Sequence, residues 1–221
     1  DIPNLIFYGP SGVGKTTLAT YIAKKTNRTL KKLNGTTAST ADIKEIVAQL
    51  NTFSGLNGIL LYLDEIQYFN KKQQQTLLEY IENGSITLIA STTENPYFYV
   101  YNAILSRSTV FEFKPVEPDE VEKAVYRASD FLAEESGTDI EMPEECAKKI
   151  ASGCGGDVRK AMNAVELSVI ATDEIDGKKV VRLETVEQLV QKSAVRYDRE
   201  GDEHYDIISA YQKSRSEERR V

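Results

Sequence analysis

The sequence has few of the residues that build disulfide frameworks and zinc centres. It contains no tryptophan, one histidine and two cysteines among its 221 residues. Two cysteines, Cys146 and Cys154, are too few for the disulfide scaffold of a small secreted domain. A single histidine, His204, leaves no readable zinc site. The sequence therefore gives no indication of a disulfide-stabilised or zinc-dependent protein.

Long apolar runs and an excess of positive charge are also missing. No segment approaches the roughly 20 apolar residues that a membrane-spanning helix needs, and the first residues lack the basic and apolar regions of a secretory signal. We therefore expect a cytoplasmic protein that does not associate with membranes. Acidic residues outnumber basic ones by 34 to 27, which gives a formal net charge of −7. This balance argues against a broadly basic nucleic-acid surface, but not against a local basic groove or one assembled from several subunits.

The most informative stretch that is present is GPSGVGKTT, from Gly9 to Thr17. It follows the short apolar run Leu5 to Tyr8, and helical spacing continues after it at Leu18 and Ile22. A strand, a glycine-rich turn and a helix N-terminus in this order are the setting of a phosphate-binding loop. The alternative is a turn that only joins two elements. The full spacing and both flanking elements favour binding of a nucleoside triphosphate.

This loop predicts both a phosphate site and a metal ligand. Its glycines let the backbone curl so that successive N–H groups face phosphate oxygens. The amine of Lys15 would bridge the β- and γ-phosphates of ATP, and the hydroxyl of Thr16 would bind Mg²⁺. The residues predicted to contact the nucleotide here are consecutive: Gly9, Pro10, Ser11, Gly12, Val13, Gly14, Lys15, Thr16 and Thr17.

Short apolar runs alternate with helical periodicity over the first half of the chain. Such alternation predicts an α/β fold, in which a parallel sheet carries helices on both faces. A polar helix with an apolar stripe is predicted over Lys71–Glu82. The predicted strands are Leu5–Tyr8, Leu30–Leu33, Ile59–Leu63, Ile86–Ala90 and Thr109–Phe113.

The sequence changes character at Lys114-Pro115, after which we predict helices and no strong strand. Helices are expected to start at Pro118, at Pro143 and after the segment 155–157, and a short one fits Thr185–Gln191. We therefore predict an ATPase domain over residues 1–115 and a small all-helical lid domain over 116–196. Residues 197–221 would begin a further C-terminal region.

The third predicted strand ends in Leu63-Asp64-Glu65. Asp64 would hold Mg²⁺, directly or through water, and Glu65 would polarise the attacking water. Ligands of open α/β sheets bind at the carboxyl ends of strands, where this pair and the glycine-rich loop both fall. The alternative is a strand that exits into solvent at its acidic end.

Other polar residues are ambiguous when taken alone. The fourth strand ends in Ser91–Pro96, where a hydroxyl either contacts the γ-phosphate or its attacking water, or only forms a turn. Asn34 would either restrain Glu65 until a partner binds or form a turn. Arg107 and Arg159 are in isolation ordinary solvated arginines.

Together these residues resemble an AAA+ ATPase over nearly the whole chain. GPSGVGKTT is similar to its Walker A motif, and ILLYLDE (Ile59–Glu65) to its Walker B motif. The resemblance implies that Thr92 is the sensor-1 residue, with Thr93 as the alternative. It also implies that Arg107, in Ser-Arg-Ser, acts in trans in a neighbour's site. Arg159, in Gly-Asp-Val-Arg, would be the sensor-2 residue that contacts the γ-phosphate in cis.

Within the AAA+ proteins, the chain most resembles the replication-associated recombination protein group (RarA or MgsA, with the Werner helicase-interacting protein). This resemblance implies DNA-stimulated ATP hydrolysis at stalled or gapped forks, with fork, gapped or single-stranded DNA as partner. It also implies a homo-oligomer, a tetramer at full length, that meets single-stranded DNA-binding protein at the bacterial nucleoid. The stretches that carry the resemblance are FNKKQQQTLL, ITLIASTTENP, AILSRS and YDREGDEHYDIISA.

Three other functions remain open at this stage: a clamp-loader or branch-migration subunit, a small-molecule kinase, and a nucleotide-gated scaffold. The departures from the group's motifs are small: Ser11 and Val13 replace proline and threonine at variable positions, and Ser108 stands where cysteine is common. The segment that usually helps to enclose the adenine and the C-terminal domain that forms tetramers are not in this sequence. We therefore expect the ATPase core of a longer protein.

Overall fold

The computed structural model describes residues 2–49 and 58–191. The chain divides into two compact units after Pro115, and each unit has its own apolar core. The stretch Tyr197–Ala210, which carries much of the family resemblance, lies outside the described residues, as do His204 and the rest of the segment 197–221.

The first unit is built on a parallel sheet of five strands in the order β2-β3-β4-β1-β5. Because all strands run the same way, the carboxyl ends of β3, β4 and β1 meet side by side at one edge. The predicted parallel α/β architecture is confirmed. The strands are β1 (Asn4–Tyr8), β2 (Thr29–Asn34), β3 (Ile59–Asp64), β4 (Ile86–Thr92) and β5 (Ser108–Glu112).

Helices cover both faces of this sheet because alternate strand residues are apolar on both sides. In β3, Leu60 and Tyr62 pack with Ala19 on one face, whereas Leu61 belongs to the core on the opposite face, together with Leu77. A single turn of 3₁₀ helix (Ile66–Tyr68) follows β3. The α-helices are α1 (Lys15–Lys25), α2 (Thr40–Ala48), α3 (Lys71–Glu82), α4 (Pro96–Tyr99) and α5 (Asn102–Leu105).

The second unit is mainly helical, as predicted. It contains α6 (Pro118–Ser136), α7 (Glu144–Gly153), α8 (Val158–Ile170) and a last helix, α9, over residues 183–191. Its core includes both cysteines, which are free thiols. None of the helices in the described part of the chain is long and apolar enough to cross a bilayer.

The second unit also contains two short strands that the sequence analysis did not predict. β6 (Asp139–Glu141) and β7 (Lys178–Val180) pair in parallel. In each, only the middle residue is partly covered and both ends are exposed. Segments of three residues with polar ends carry no readable apolar alternation, so the expectation of helices alone was wrong on this point.

Candidate nucleotide-binding site

A glycine-rich loop joins the end of β1 to the start of α1. Gly9, Gly12 and Gly14 have φ angles of 140°, 69° and 93°, in the region that favours glycine. A Cβ at Gly9 would lie 2.0 Å from the carbonyl oxygen of Phe113. The Gly9 N–H also donates to the carbonyl of Thr92 at 3.2 Å. These contacts fix the start of the loop against the chain that leaves β4 and β5.

Helix α1 begins directly after this loop. Gly14 is the N-cap residue, it offers no side-chain hydrogen bond, and the first turn of α1 contains no acidic residue. A helix N-terminus presents unpaired N–H groups and a partial positive charge. The loop and the helix start therefore fit a phosphate group.

Lys15, the first residue of α1, folds back over the loop. Its Nζ donates to the carbonyl oxygens of Gly9 and Pro10, both at 2.7 Å, and only 8% of the residue is exposed. The side chain therefore places its positive charge inside the curve of the loop. A bound triphosphate would have its negative charge neutralised there.

Four side-chain oxygens lie together where β3 and β4 end beside α1. The hydroxyl of Tyr62 lies 2.9 Å from Thr16 Oγ1, 2.8 Å from Ser91 Oγ and 3.2 Å from Asp64 Oδ1. Ser91 also donates a hydrogen bond to Asp64 Oδ1. Burial raises the pKa of the Tyr62 hydroxyl above its ordinary value, so this group stays protonated at neutral pH. The structure thus brings together Thr16 and Asp64, the two predicted ligands of Mg²⁺.

This donor set suits a magnesium ion that binds together with a nucleotide. Mg²⁺ prefers oxygen ligands, and proteins usually hold it through one or two carboxylates plus substrate phosphates and waters. Within residues 2–49 and 58–191, no cluster of three or more His, Cys, Asp or Glu is placed to hold a metal by itself. The Thr16 hydroxyl and the Asp64 carboxylate therefore fit Mg²⁺ that shares its coordination with phosphate oxygens.

Glu65 follows β3 in a left-handed conformation, with a φ angle of 56°. This conformation costs energy for a residue other than glycine and is concentrated at functional sites. The Gln67 side-chain amide donates a hydrogen bond to the Glu65 carboxylate.

The side-chain oxygen of Asn34 accepts from the N–H and the hydroxyl of Thr36, at 2.9 and 2.7 Å. Of the two interpretations of Asn34, the structure therefore favours the turn.

The end of β4 holds two hydroxyls that face opposite sides of the sheet, because neighbouring strand residues alternate. Ser91 faces Asp64. The Oγ1 of Thr92 accepts from the N–H of Glu94 at 3.0 Å, and Thr92 is 1% exposed. The neighbouring Thr93 is exposed. Thr92 therefore braces the turn after β4 in this structure, and its sensor role stays a prediction.

Arg107 lies between α5 and β5 and is held by its own unit. Its Nη2 lies 2.6 Å from Glu82 Oε1, and both side chains are nearly half exposed. Its Nη1 donates to the carbonyl of Ala103 at 2.9 Å and to Ser106 Oγ at 3.2 Å. The guanidinium is thus accessible at the surface. Its action in a neighbouring subunit stays a prediction.

Arg159 belongs to the second unit, where it is the second residue of α8 and is exposed. The side chain of Asp157 caps this helix by accepting from the N–H of Lys160 at 3.1 Å. The Gly-Asp-Val-Arg motif therefore forms a helix start, as its sequence predicts. The in-cis contact of Arg159 with a γ-phosphate stays a prediction.

Tyr62 and Gln67 are not among the residues predicted for the site, and Ser91 is predicted only as one of several hydroxyls at the end of the fourth strand. A signal for Tyr62 exists, because it stands two residues before Asp64 in a strand and so faces the same side. Ser91 reaches Asp64 only because β4 pairs with β3 so that Ala90 lies opposite Leu63. That register cannot be read from a single sequence.

Comparisons with known proteins identify the family of this chain. Residues 5–116 match the ATPase family associated with various cellular activities (AAA), and residues 136–215 match the AAA C-terminal domain. Over 215 residues, the chain is 43% identical to replication-associated recombination protein A of Bacillus subtilis, covering 96% of this chain and 50% of that protein. Its identity to the Escherichia coli K12 protein of the same name is 37%, with coverages of 96% and 48%. Identity to the ATPase WRNIP1 of Dictyostelium discoideum is 33% over 231 residues, with coverages of 97% and 26%.

A solved structure shares the fold at lower sequence identity. The Thermotoga maritima RuvB Holliday junction branch migration motor superposes with a TM-score of 0.68 at 23% identity, covering 86% of this chain and 61% of that one. This likeness shows the fold alone. The chain spans 50% and 48% of the length of the two bacterial relatives named above. The similarity to replication-associated recombination proteins that the motifs predict is confirmed, and the chain belongs to the AAA family of ATPases.

Proposed function

We propose that this chain is the ATP-hydrolysing module of a DNA replication and recombination factor. One observation carries the proposal: a glycine-rich loop leads into a helix whose Thr16 hydroxyl is joined to the carboxylate of Asp64 through Tyr62. The AAA family match supports the nucleotide, and the names of the relatives support the DNA context.

The first unit contains the groups that are proposed to bind the phosphates of the nucleotide. The backbone N–H groups of the loop and the ammonium of Lys15 bind and orient the phosphates. Thr16 and Asp64 would hold Mg²⁺. When bound, Mg²⁺ neutralises charge on the β- and γ-phosphate oxygens.

Glu65 is the proposed general base. Its carboxylate takes a proton from the attacking water as the water oxygen bonds to the γ-phosphorus and the bond to the ADP oxygen breaks. Gln67 orients that carboxylate by donating to it. The hydroxyl of Thr92 is proposed to help place the water.

Two arginines complete the proposal. Arg159, in a helical lid, would contact the γ-phosphate and couple its presence to lid position. Arg107 would act in trans, and an arginine supplied in this way is worth about 10³–10⁵ in rate. Hydrolysis by a monomer is therefore expected to be slow, whereas ATP binding should not require assembly.

The proposed partner is DNA at a fork or gap, or single-stranded DNA. The formal net charge of −7 means that a DNA-binding surface must be local or assembled from several copies. From the resemblance to replication-associated recombination proteins, we propose a homo-oligomer, a tetramer in the full-length protein, that works beside single-stranded DNA-binding protein on the nucleoid in the cytoplasm.

The test is the ATPase rate of the full-length protein with and without fork or single-stranded DNA. We expect DNA to raise the rate, and Glu65→Gln to keep ATP affinity while losing about 10²–10⁴ of the turnover, the range for a general base. A fully active Glu65→Gln would mean that another group activates the water. A rate that rises only with a small-molecule acceptor would point to a kinase.

A further inference from the structure

We infer that the hydroxyl of Tyr62 is a positioning group that prepares Thr16 and Asp64 to bind Mg²⁺. The inference rests on the proposed function, because it concerns the metal that accompanies ATP. Tyr62 contacts no nucleotide atom in this account and acts through the two ligands.

The position of Tyr62 does not by itself require a polar atom. The residue is 2% exposed and packs in the apolar core that also holds Leu60, Ile89 and Ala19. A phenylalanine would fill this place without the cost of burying a hydroxyl, which must be hydrogen-bonded to be tolerated. The three oxygens within 3.2 Å of the Tyr62 hydroxyl meet that requirement.

The order of the donors follows from the distances and from the number of protons. The Asp64 carboxylate only accepts. Ser91 donates to Asp64 Oδ1. Tyr62 then donates to Ser91 Oγ at 2.8 Å, and Thr16 donates to the Tyr62 oxygen at 2.9 Å. The relay Thr16 to Tyr62 to Ser91 to Asp64 uses each hydroxyl proton once and ends on a charge.

This order is the one that a metal at Thr16 requires. A hydroxyl that binds a cation through its oxygen lone pair must send its proton elsewhere, and the Tyr62 oxygen accepts it. At the other end, the described members of the relay bond to Oδ1 of Asp64, so that Oδ2 would hold the cation or its water. Hydrogen-bonded partners of metal ligands fix the orientation of those ligands and tune their basicity.

The test is Tyr62→Phe, which keeps the ring and removes the hydroxyl. Binding of a non-hydrolysable ATP analogue would be measured in EDTA and over a series of Mg²⁺ concentrations. We expect the affinity in EDTA to stay within about twofold of the wild type. The Mg²⁺ concentration that gives half of the metal-dependent tightening should rise about tenfold or more, the usual cost of losing a partner of a metal ligand.

Two further variants make the result specific. Ser91→Ala interrupts the same relay one step later and should shift the Mg²⁺ midpoint in the same direction, even if Tyr62→Phe folds poorly. Tyr126→Phe removes the hydroxyl of a half-buried tyrosine in the second unit, which bonds to Glu122, and should leave the midpoint unchanged.

The outcomes separate this inference from the proposed function. If the wild type binds the analogue and Tyr62→Phe and Ser91→Ala share its Mg²⁺ midpoint, the relay is overturned and the ATPase proposal stands. If the wild type does not bind the analogue at all, the proposed function fails and the inference fails with it.

Discussion

The amide nitrogen of Gln67 donates to the carboxylate of Glu65, while the amide oxygen of the same side chain is buried without a hydrogen-bond partner among the described residues. A buried unpaired acceptor costs about 1–3 kcal/mol. Gln67 therefore destabilises the fold through its amide oxygen. Through its amide nitrogen, it orients the carboxylate of Glu65, the candidate base.

Gln67→Leu should separate these two effects. The lost hydrogen bond and the removed unpaired oxygen oppose each other, so we expect the free energy of unfolding in urea to change by less than about 1 kcal/mol. The kcat should fall about tenfold because the Glu65 carboxylate is no longer held in one orientation, a fraction of what a general base contributes. ATP affinity should not change.

Gln74→Leu is the matched control, because the amide of Gln74 is buried and fully used. It donates to the carbonyls of Phe69 and Tyr99 at 2.9 and 3.0 Å and accepts from the N–H of Tyr101 at 2.7 Å. Its loss leaves backbone groups unpaired, so the protein should lose about 3 kcal/mol of stability.

If Gln67→Leu instead turned over ATP faster than the wild type, Gln67 would restrain Glu65 and would not support its catalytic orientation.

Two glycines of the loop should respond differently to alanine. Gly9→Ala places a Cβ against the Phe113 carbonyl oxygen and should cost about 3 kcal/mol, the upper end of the range for backbone strain, because backbone must move. At Gly14 a Cβ would meet none of the described residues within 4 Å, so we expect only the penalty of the left-handed backbone, about 1–2 kcal/mol. Urea unfolding of the two variants measures the difference. Equal losses would show that the contact between Gly9 and Phe113 does not constrain the loop.

The role of Arg107 is tested by mixing subunits of the full-length protein. Arg107→Ala subunits retain an intact phosphate loop, and Lys15→Ala subunits retain the arginine. If the arginine acts in trans, a mixture should recover part of the ATPase activity that each variant lacks alone. No recovery at any ratio would argue against a shared site.

The thermal stability of Arg107→Ala is the control for this experiment. The ion pair between Arg107 and Glu82 is nearly half exposed on both sides. Exposed pairs contribute about 0–1 kcal/mol. Arg107→Ala should therefore melt close to the wild type, and its loss of activity cannot be assigned to unfolding.

Much of the fold follows from the sequence because the relevant signals are local. Three local signals each determine where a helix or strand starts or ends within a few residues: the spacing from Gly9 to Thr16, the apolar run before Asp64, and the prolines at 118 and 143. What local signals do not contain is the pairing of strands. The order of β3 next to β4, and with it the approach of Ser91 to Asp64, depends on contacts between distant segments.

Other features were missed for different physical reasons. The strands β6 and β7 are too short and too exposed to show a pattern. The contact from Gln67 to Glu65 depends on the left-handed turn at Glu65, a conformation that glutamate rarely adopts. Asn34 gave two interpretations because an asparagine at a strand end serves turns and sites alike.

The central claim is that the loop from Gly9 to Thr17 binds the phosphates of ATP. Calorimetric titration of the wild type and of Lys15→Ala with a non-hydrolysable ATP analogue and Mg²⁺ tests it most directly. We predict heat of binding for the wild type and none for Lys15→Ala, with both proteins folded as judged by thermal melting. Undiminished binding to Lys15→Ala would contradict it.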